Sequence, residues 1–249
     1  METFNPFSLA GKTILVTGAS SGIGQSIAIS VSKMGGNVII SGRKESNLQH
    51  TFSLMVGDTN CIVTADLTRP EDIDILSSQV PQLDGIVHCA GIGHRMPAKM
   101  ISQHDIETVM NANFGGAVLL QAALLSKKKV KKDSSIVFIA SKAADFPSAG
   151  NAIYSASKGA LIAYSRCLAL ELAPRGIRVN CICPSMVWTD LIMQNEITIE
   201  QLQESERRYP LKRYGKPEDV ANLAIYLLSD ASTWMTNSCI DLTGGSSSL

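Results

Sequence analysis

Short apolar segments rich in β-branched residues alternate with helical patterns along the chain, and this alternation limits the possible folds most strongly. The apolar segments are typical of buried strands and lie at 12–18, 37–42, 61–66, 84–91, 135–141, 177–184 and 238–244. Helical patterns occur at 22–35, 44–54, 70–79, 102–128, 154–172 and 217–229. Apolar strands separated by helices predict a parallel sheet covered on both faces. We therefore predict a single α/β domain over residues 1–249, built on a doubly wound parallel sheet.

The segment 186–213 is the longest departure from this alternation. It is rich in Met, Gln and Glu and lies between the sixth predicted strand and the last predicted helix. Long irregular segments inside a compact domain are often functional. We predict that 186–213 forms a lid over a substrate.

The charge balance gives no support to a role on nucleic acids or membrane surfaces, because 22 basic and 22 acidic residues cancel. The first segment, "METFNPFSLAGK", lacks the features of a signal peptide, and no apolar run approaches the length needed to span a membrane. Six cysteines, most of them in apolar runs, have no metal-ligand spacing. We predict buried free thiols in a reducing compartment, and a soluble cytoplasmic protein without a metal site.

A glycine-rich turn, "TGASSGIG" at 17–24, joins the first predicted strand to the first predicted helix. Gly18, Gly22 and Gly24 permit a tight turn and a close approach of the backbone to a phosphate. The helix that follows offers free N–H groups and a favourable dipole. The turn predicts a site for nucleotide phosphates, and a tight turn without a ligand is the alternative.

A second motif, "NAIYSASKGAL" at 151–161, places Tyr154 and Lys158 on one face of a predicted helix among small residues. A neighbouring ammonium group favours the ionised form of a phenol, which ordinarily titrates near pH 10. The pair therefore predicts a proton donor and acceptor. Taken alone, the pair is more typical of an ordinary amphipathic helix that carries a solvated lysine.

Together, these two motifs make the chain resemble the short-chain dehydrogenase/reductases over nearly its whole length. Further matching segments are "ADLT", "HCAG", "NANFGG", "IAS", "RVNCICPSMVWTD" and "PLKRYGKPEDVANLAIYLLSD". The resemblance implies a Rossmann-type fold, a nicotinamide cofactor and a reaction at CH–OH or C=O groups. The cofactor-binding residues that it implies are Gly18, Ser20, Ser21, Gly22, Ile23, Gly24, Arg43, Asp66, Leu67, Ala90, Gly91, Tyr154, Lys158, Pro184, Val187 and Thr189.

The resemblance also implies a catalytic set of four residues. Tyr154 would donate a proton to a substrate carbonyl oxygen while hydride reaches the carbon. Lys158 would favour ionisation of the phenol and contact the nicotinamide ribose, and Ser141 would hydrogen-bond the same substrate oxygen. Asn113 would interrupt its helix and help to connect Lys158 to solvent through water.

Cofactor choice depends on the end of the second predicted strand, in "VIISGRKES". A carboxylate there would bind a ribose 2′-hydroxyl and repel a 2′-phosphate. This chain instead has Gly42 followed by Arg43 and Lys44, and a guanidinium group suits a phosphate. We predict that NADP(H) is preferred over NAD(H); a solvated loop charge at Arg43 is the alternative.

Four positions depart from the family pattern. Cys89 replaces an asparagine, Ser185 replaces a glycine, Thr243 replaces an aspartate, and Asn237 stands where a glycine often occurs. Cys89 could weaken the support of the cofactor-side strands, because a thiol hydrogen-bonds less well than an amide. None of the four removes a catalytic group, so we expect an active enzyme.

The resemblance leaves three functional hypotheses. The first is an NADPH-dependent ketoreductase similar to the 3-oxoacyl-(acyl-carrier-protein) reductases, which reduces a ketone to a secondary alcohol. The second is a dehydrogenase of a small alcohol, sugar or steroid. The third is an NADP-binding sensor or scaffold without turnover, and the complete Ser–Tyr–Lys–Asn set argues against it.

A lysine-rich segment bears on the first hypothesis. "SKKKVKKD", at 126–133, places five lysines where an acidic acyl carrier protein could dock. Arg175 matches a basic position used for carrier docking in the reductases of that group. The alternative is a soluble helix end whose lysines complement the helix dipole. The family resemblance further implies a homotetramer or a homodimer.

Overall fold

A computed structural model describes residues 4–193 and 198–246. Within them, seven strands form one sheet in the order β3-β2-β1-β4-β5-β6-β7, and every neighbouring pair is parallel. The strands are Thr13–Thr17 (β1), Asn37–Gly42 (β2), Cys61–Thr64 (β3), Leu83–His88 (β4), Val130–Ile139 (β5), Arg178–Pro184 (β6) and Ser238–Leu242 (β7). The strand order reverses between β1 and β4, where ligands bind in open parallel sheets. The predicted doubly wound parallel sheet is confirmed.

Helices cover both faces of this sheet. They are Gly22–Lys33 (α1), Glu45–Ser53 (α2), Pro70–Gln79 (α3), Gln103–Met110 (α4), Gly116–Ser126 (α5), Ala152–Leu172 (α6), Asp190–Met193 (α7), Ile199–Glu206 (α8) and Pro217–Leu228 (α9). A π-helical turn, Asn111–Gly115, joins α4 to α5. The predicted helix over 102–128 is therefore continuous but contains a wider turn at its centre.

The core consists of two layers, one on each side of the sheet. Successive side chains of a strand point to opposite faces, so Leu15 of β1 packs on the side of α3, α5 and α6. Its neighbours Ile14 and Val16 pack on the side of α1, α2 and α9. The continuous apolar strands recognised in the sequence supply both layers at once.

The helical stretch Gln103–Ser126 is long and apolar enough, by length and composition alone, to cross a membrane. Our expectation that no segment approaches that length is wrong on this test. Core helices of soluble proteins pass the same test, and this stretch buries Leu120 and Leu124 against the sheet. We interpret it as a core helix.

The cysteines are less buried than we predicted. Cys181 and Cys183 are buried, but Cys61 and Cys167 are exposed, and Cys89 and Cys239 are intermediate. Cys61 lies on β3, at one edge of the sheet, and an apolar segment at an edge leaves some of its side chains in solvent. All six thiols are free.

The lysine-rich segment 126–133 contains both the end of α5 and the start of β5. β5 begins at Val130 rather than at 135, because pairing of Val130 with Leu83 extends the sheet toward α5. Lys127 forms an ion pair with Asp74 at 2.6 Å, and Lys131 pairs with Asp84 at 2.7 Å. These lysines fix the loop to neighbouring elements.

The predicted lid, 186–213, contains the two short helices α7 and α8, and its residues 194–197 lie outside the described residues. Leu202, Tyr209 and Tyr214 form a small core of their own with Ile192. The Glu206 carboxylate accepts hydrogen bonds from Trp188 Nε1 at 2.9 Å and from the backbone N–H of Tyr214 at 2.8 Å. The segment thus has a small hydrophobic core of its own. Its role as a lid stays a prediction.

A buried histidine lies at the carboxyl end of β4. His88 stacks on Phe138 with ring centres 4.7 Å apart, and its Nε2 lies 2.9 Å from Gln121 Oε1. Burial lowers the pKa of His88 to about 4, against the opposing effect of the Gln121 hydrogen bond. The folded protein therefore holds this ring neutral at pH 7.

This histidine predicts a loss of stability in mild acid. Between the unfolded pKa near 6.5 and the folded pKa, the unfolded chain binds more protons, so the free energy of unfolding should fall as the pH drops. From pH 7.5 to pH 5, His88 should contribute a loss of about 2 kcal/mol. Denaturant titrations at several pH values should show a smaller loss over this range in His88→Asn. His50→Asn, at an exposed position, should retain the full dependence; equal slopes for His88→Asn and the parent protein would contradict the assignment.

Candidate active site

A cleft with a cavity volume of about 480 Å³ opens at the carboxyl ends of the strands. It lies at the point between β1 and β4 where the strand order reverses and the connections leave the sheet toward opposite faces. Every residue predicted to bind the cofactor lines this cleft, from Gly18, Ser20, Ser21, Gly22, Ile23, Gly24, Arg43, Asp66, Leu67, Ala90 and Gly91 to Tyr154, Lys158, Pro184, Val187 and Thr189. The fold brings together positions that are far apart in the sequence.

The glycine-rich turn is packed too closely for side chains. A β-carbon on Gly24 would lie 2.2 Å from the carbonyl oxygen of Gly18, and one on Gly18 would lie 2.7 Å from Ala90 Cα. Gly18 also has a φ of +66°, which favours glycine. Ser21 precedes α1 without capping it through its side chain, so the first N–H groups of the helix are available to an anion. This backbone cradle fits a pyrophosphate group.

The far end of the cleft is lined by Arg43 and Asp66. Arg43 directly follows β2 and is exposed. Partial burial raises the pKa of Asp66, but hydrogen bonds from Thr68 and the charges of Arg43 and Arg69 outweigh it and hold that pKa below its ordinary value. Asp66 Oδ1 accepts from the Thr68 N–H at 3.0 Å and from its hydroxyl at 2.8 Å. A fixed carboxylate and an exposed guanidinium thus stand at one end of the cleft.

The predicted proton donor and its lysine lie on the first turns of α6. The helix begins at Ala152, two residues earlier than predicted, and Lys158 is only 6% exposed. Its Nζ donates a hydrogen bond to the carbonyl oxygen of Ile139 at 3.0 Å and lies 5.8 Å from the ring centre of Tyr154. The bond anchors the ammonium beside the carboxyl end of β5. A phenol and a buried cation therefore face the same cleft.

Ser141 lies just beyond the end of β5 and lines the cleft with Tyr154. Its Oγ accepts a hydrogen bond from the Ala143 N–H at 3.1 Å, which leaves the hydroxyl hydrogen for a ligand. The next residue, Lys142, forms an ion pair with Asp241 at 2.5 Å. The hydrogen bond from Lys142 to the Asp241 carboxylate raises the pKa of Lys142 and connects the Ser141 loop to β7.

Asn113 lies behind the cleft rather than in it. It is fully buried within the π-helical turn, so the predicted interruption of the helix is present. Its Oδ1 accepts from the Ile92 N–H at 2.7 Å, and its Nδ2 donates to the Ile92 carbonyl at 3.0 Å and to Ser157 Oγ at 3.1 Å. The side chain thus positions the Ile92 loop and α6. Its predicted catalytic role, a link from Lys158 to solvent through water, stays a prediction.

The departures from the family pattern have local partners. The backbone N–H of Cys89 bonds to Thr17 Oγ1 at 3.1 Å, and burial raises the pKa of its thiol to about 12. Ser185 Oγ and the Tyr209 hydroxyl lie 2.7 Å apart, which joins the end of β6 to the lid segment. Asn237 has a φ of +57°, a conformation that asparagine tolerates better than most residues.

Sequence reasoning missed one group of residues that line the cleft, most of them in loops and two in α7: His94, Arg95, Lys142, Phe146, Ser148, Asn151, Met186, Asp190 and Ile192. Arg95 Nη2 donates to the Ala149 carbonyl at 3.2 Å, which joins two of these loops. Loops have no periodic pattern that marks their inward side chains. The signal that could have found them is position, since they follow "HCAG", precede "YSASK" or begin the lid.

Comparison with known proteins identifies the family. A family model described as enoyl-(acyl carrier protein) reductase matches residues 18–247. The chain belongs to the short-chain dehydrogenase/reductase family. The 3-oxoacyl-(acyl-carrier-protein) reductase FabG of Rickettsia felis is 35% identical over 237 residues, which cover 95% of this chain and 97% of the relative. The L-xylulose reductase of Caenorhabditis elegans is 35% identical over 247 residues, covering 96% and 97%.

Solved structures of the family have the same fold. A short-chain dehydrogenase/reductase described as glucose/ribitol dehydrogenase, from Brucella melitensis, is 30% identical with a TM-score of 0.90, covering 97% of this chain and 98% of that one. A candidate NAD(P)-dependent gluconate 5-dehydrogenase from Beutenbergia cavernae contains NADP at low occupancy. It is 32% identical with a TM-score of 0.88, and the match covers 97% and 98% of the two chains. The present protein is thus an oxidoreductase of CH–OH and C=O groups that uses a nicotinamide cofactor.

Proposed function

We propose that the protein reduces a ketone to a secondary alcohol with NADPH, and that Tyr154 is the proton donor. One observation carries the proposal: the glycine-rich cradle lines the same cleft as Ser141, Tyr154 and Lys158. The cradle fits the phosphates of a dinucleotide, whose reactive end would then meet the substrate beside Ser141 and Tyr154. A cofactor held there would supply the hydride.

The three side chains act on the substrate oxygen. The hydroxyl hydrogen of Ser141 is free to bond to that oxygen and to orient it, since its Oγ already accepts from Ala143. The Tyr154 phenol transfers its proton to the oxygen as negative charge develops there. The Lys158 ammonium, held by Ile139, stabilises the phenolate that remains.

The test is NADPH consumption with a substrate panel. The panel contains acetoacetyl thioester, diketones and keto sugars, with a control that lacks substrate. We expect turnover with at least one ketone. Binding of NADPH without turnover of any ketone, in a protein whose Ser141, Tyr154 and Lys158 are intact, would contradict the proposal.

We also propose that NADP(H) is preferred over NAD(H), because Arg43 provides an exposed cation immediately after β2. Arg43→Ala should weaken NADPH binding about ten- to a hundredfold, the cost of one charged hydrogen bond, and should change NADH binding little. Fluorescence titration with both cofactors measures the two dissociation constants. Lys44→Ala is the matched control, since the adjacent lysine is exposed but does not line the cleft. Equal weakening of both cofactors by Arg43→Ala would show that this residue does not contact the 2′-phosphate.

For the substrate, the named relatives support two classes: a 3-oxoacyl thioester and a small polyhydroxy ketone. The structure weighs against docking of a carrier protein on the lysine-rich segment. That segment lies at the amino end of β5, whereas the cleft lies at the carboxyl end. The two lie about 17 Å apart along the sheet, because Val130 and Phe138 of β5 pair with the two ends of the six-residue strand β4.

Most of the basic groups in this region also have partners inside the protein. Lys127 and Lys131 are in ion pairs, Lys129 Nζ donates to the Val80 carbonyl at 2.6 Å, and Arg175 Nη2 donates to the Val130 carbonyl at 2.6 Å. These bonds stabilise the loop between α5 and β5. We therefore propose that the substrate reaches the cleft without a carrier docked on this segment.

Lys128 and Lys132 provide the test, because among the residues that the structure describes neither forms an ion pair. Replacing both with glutamine should leave kcat/KM within about twofold for a short thioester and for the same thioester on an acidic carrier. A selective loss for the carrier-bound substrate, together with loss of its salt dependence, would restore the docking hypothesis.

A further inference from the structure

A cluster of three cysteines, Cys181, Cys183 and Cys239, lies outside the cleft on β6 and β7, on the sheet face that α6 covers. Cys181 and Cys183 alternate along β6 and so point to the same face. Cys239 of β7 packs against the same side of the core, and its register partner is Cys181. The partner of Cys183 is Asp241. Cys181 and Cys239 are therefore direct neighbours across two parallel strands.

The backbone separation suits a disulfide bond. Neighbouring strands lie about 4.8 Å apart, and the Cα atoms of disulfide-bonded cysteines are usually about 4.4–6.8 Å apart. The two thiols are close enough that each shifts the pKa of the other. Bond formation therefore requires rotation of side chains rather than movement of the strands.

The two thiols have different surroundings. Cys181 is fully buried, and its Sγ lies 3.0 Å from Ser165 Oγ. Cys239 is partly exposed, on the edge strand of the sheet, and Arg166 of α6 lies close enough to act on the pKa of its thiol. The hydrogen bond with Cys181 and the charge of Arg166 lower the pKa of Cys239, against burial and the charge of Asp145. Cys239 is the more reactive thiol of the pair, since the thiolate is the nucleophile.

We propose that Cys239 and Cys181 form a peroxide-sensitive pair, in which Cys239 is oxidised first and Cys181 resolves the product as a disulfide. The Cys239 thiolate attacks one oxygen of hydrogen peroxide, the O–O bond breaks, and hydroxide leaves to take up the proton that the thiol released. The resulting sulfenic acid is attacked by the Cys181 thiol, the S–O bond breaks, and water leaves. Two thiols lose two hydrogen atoms in total, and the peroxide becomes two waters.

The other thiols provide internal controls. Cys61 and Cys167 are more exposed than Cys239, so simple accessibility would favour them. Burial raises the pKa of Cys61, and burial likewise raises that of Cys183 to about 12. If oxidant reacts with Cys239 before the more exposed thiols of Cys61 and Cys167, the local environment of Cys239, and not its exposure, determines its reactivity.

The experiment treats the native full-length protein with limiting hydrogen peroxide, blocks the remaining thiols, and locates the products by peptide mass spectrometry. We expect a linked pair of peptides containing Cys181 and Cys239 that a thiol reductant separates. Cys239 should be consumed about tenfold faster than Cys167. Faster consumption of Cys61 or Cys167, a link to Cys183, or reaction of Cys239 only after unfolding would overturn the proposal.

Single variants separate the two steps. Cys181→Ser should stop at a sulfenic acid on Cys239, which a sulfenic-acid-specific reagent traps, whereas Cys239→Ser should yield neither product. Cys181→Ala and Cys239→Ala repeat the test if a buried serine impairs folding, and circular dichroism confirms the fold of each variant. Cys167→Ser should form the disulfide as the parent protein does. Absence of a trapped sulfenic acid in folded Cys181→Ser and Cys181→Ala would also overturn the proposal.

Discussion

Tyr154→Phe is expected to lower kcat by about 10²–10⁴-fold and to leave the dissociation constant for NADPH nearly unchanged. The substitution removes one hydroxyl group and little volume, at a position that lines the cleft beside Ser141. Loss of the proton donor leaves the developing charge on the substrate oxygen without neutralisation. Steady-state kinetics with the ketone found active, together with an NADPH titration, measure both quantities.

Tyr164→Phe is the matched control for this prediction. Tyr164 lies on the same helix, α6, but its ring packs edge-on against Phe138 and Phe114 in the core. Burial raises the pKa of Tyr164 to about 12, so its hydroxyl is a poor acid. The same chemical change there should leave kcat within about twofold. A Tyr154→Phe enzyme that keeps more than about a tenth of the parent rate would identify another group as the proton donor.

Gly24→Ala should abolish measurable NADPH binding and destabilise the protein. The added methyl group would lie 2.2 Å from the Gly18 carbonyl oxygen, a backbone atom that can move only if the turn opens. Overpacking of this kind typically costs about 1–3 kcal/mol, and each kcal/mol lowers Tm by about 2–4 °C in a protein of this size. Thermal unfolding and cofactor titration together measure the effect.

Gly159→Ala provides the comparison, since a β-carbon at Gly159 would meet no atom within 4 Å. Gly159 lies within α6 directly after Lys158, so the change is close to the site but not crowded. Alanine in a helix interior should raise stability by about 1 kcal/mol. A Gly24→Ala protein that binds NADPH as the parent does would show that the turn does not hold the pyrophosphate.

The strand pattern, the glycine-rich turn and the Tyr154–Lys158 pair could all be recognised in the sequence. Each depends on local spacing: two-residue and 3.6-residue periods define buried faces, and an interval of four residues defines a helix face. The predicted strand over 37–42 and helix over 70–79 agree with β2 and α3 to the residue. Short-range geometry determines these features almost irrespective of the rest of the chain.

The lysines of 126–133 show where local reasoning fails. Their composition indicates a solvated, charged helix end. Only the pairing of β5 with β4 places Lys131 beside Asp84, and only the packing of α5 near α3 places Lys127 beside Asp74. The same topology places the segment at the amino ends of the strands, whereas the cleft lies at their carboxyl ends. A pattern of charged residues does not show at which end of the strands it will lie.

The sequence by itself determined the family, the parallel sheet and the glycine-rich turn, because periodicity and motifs of a few residues identify them. The tertiary structure alone decided that Asn113 points inward to the Ile92 loop rather than into the cleft, and that Cys181 lies beside Cys239. Both outcomes depend on contacts between distant segments. Strand register and the width of a single helical turn select those contacts, and neither leaves a periodic signal in the sequence.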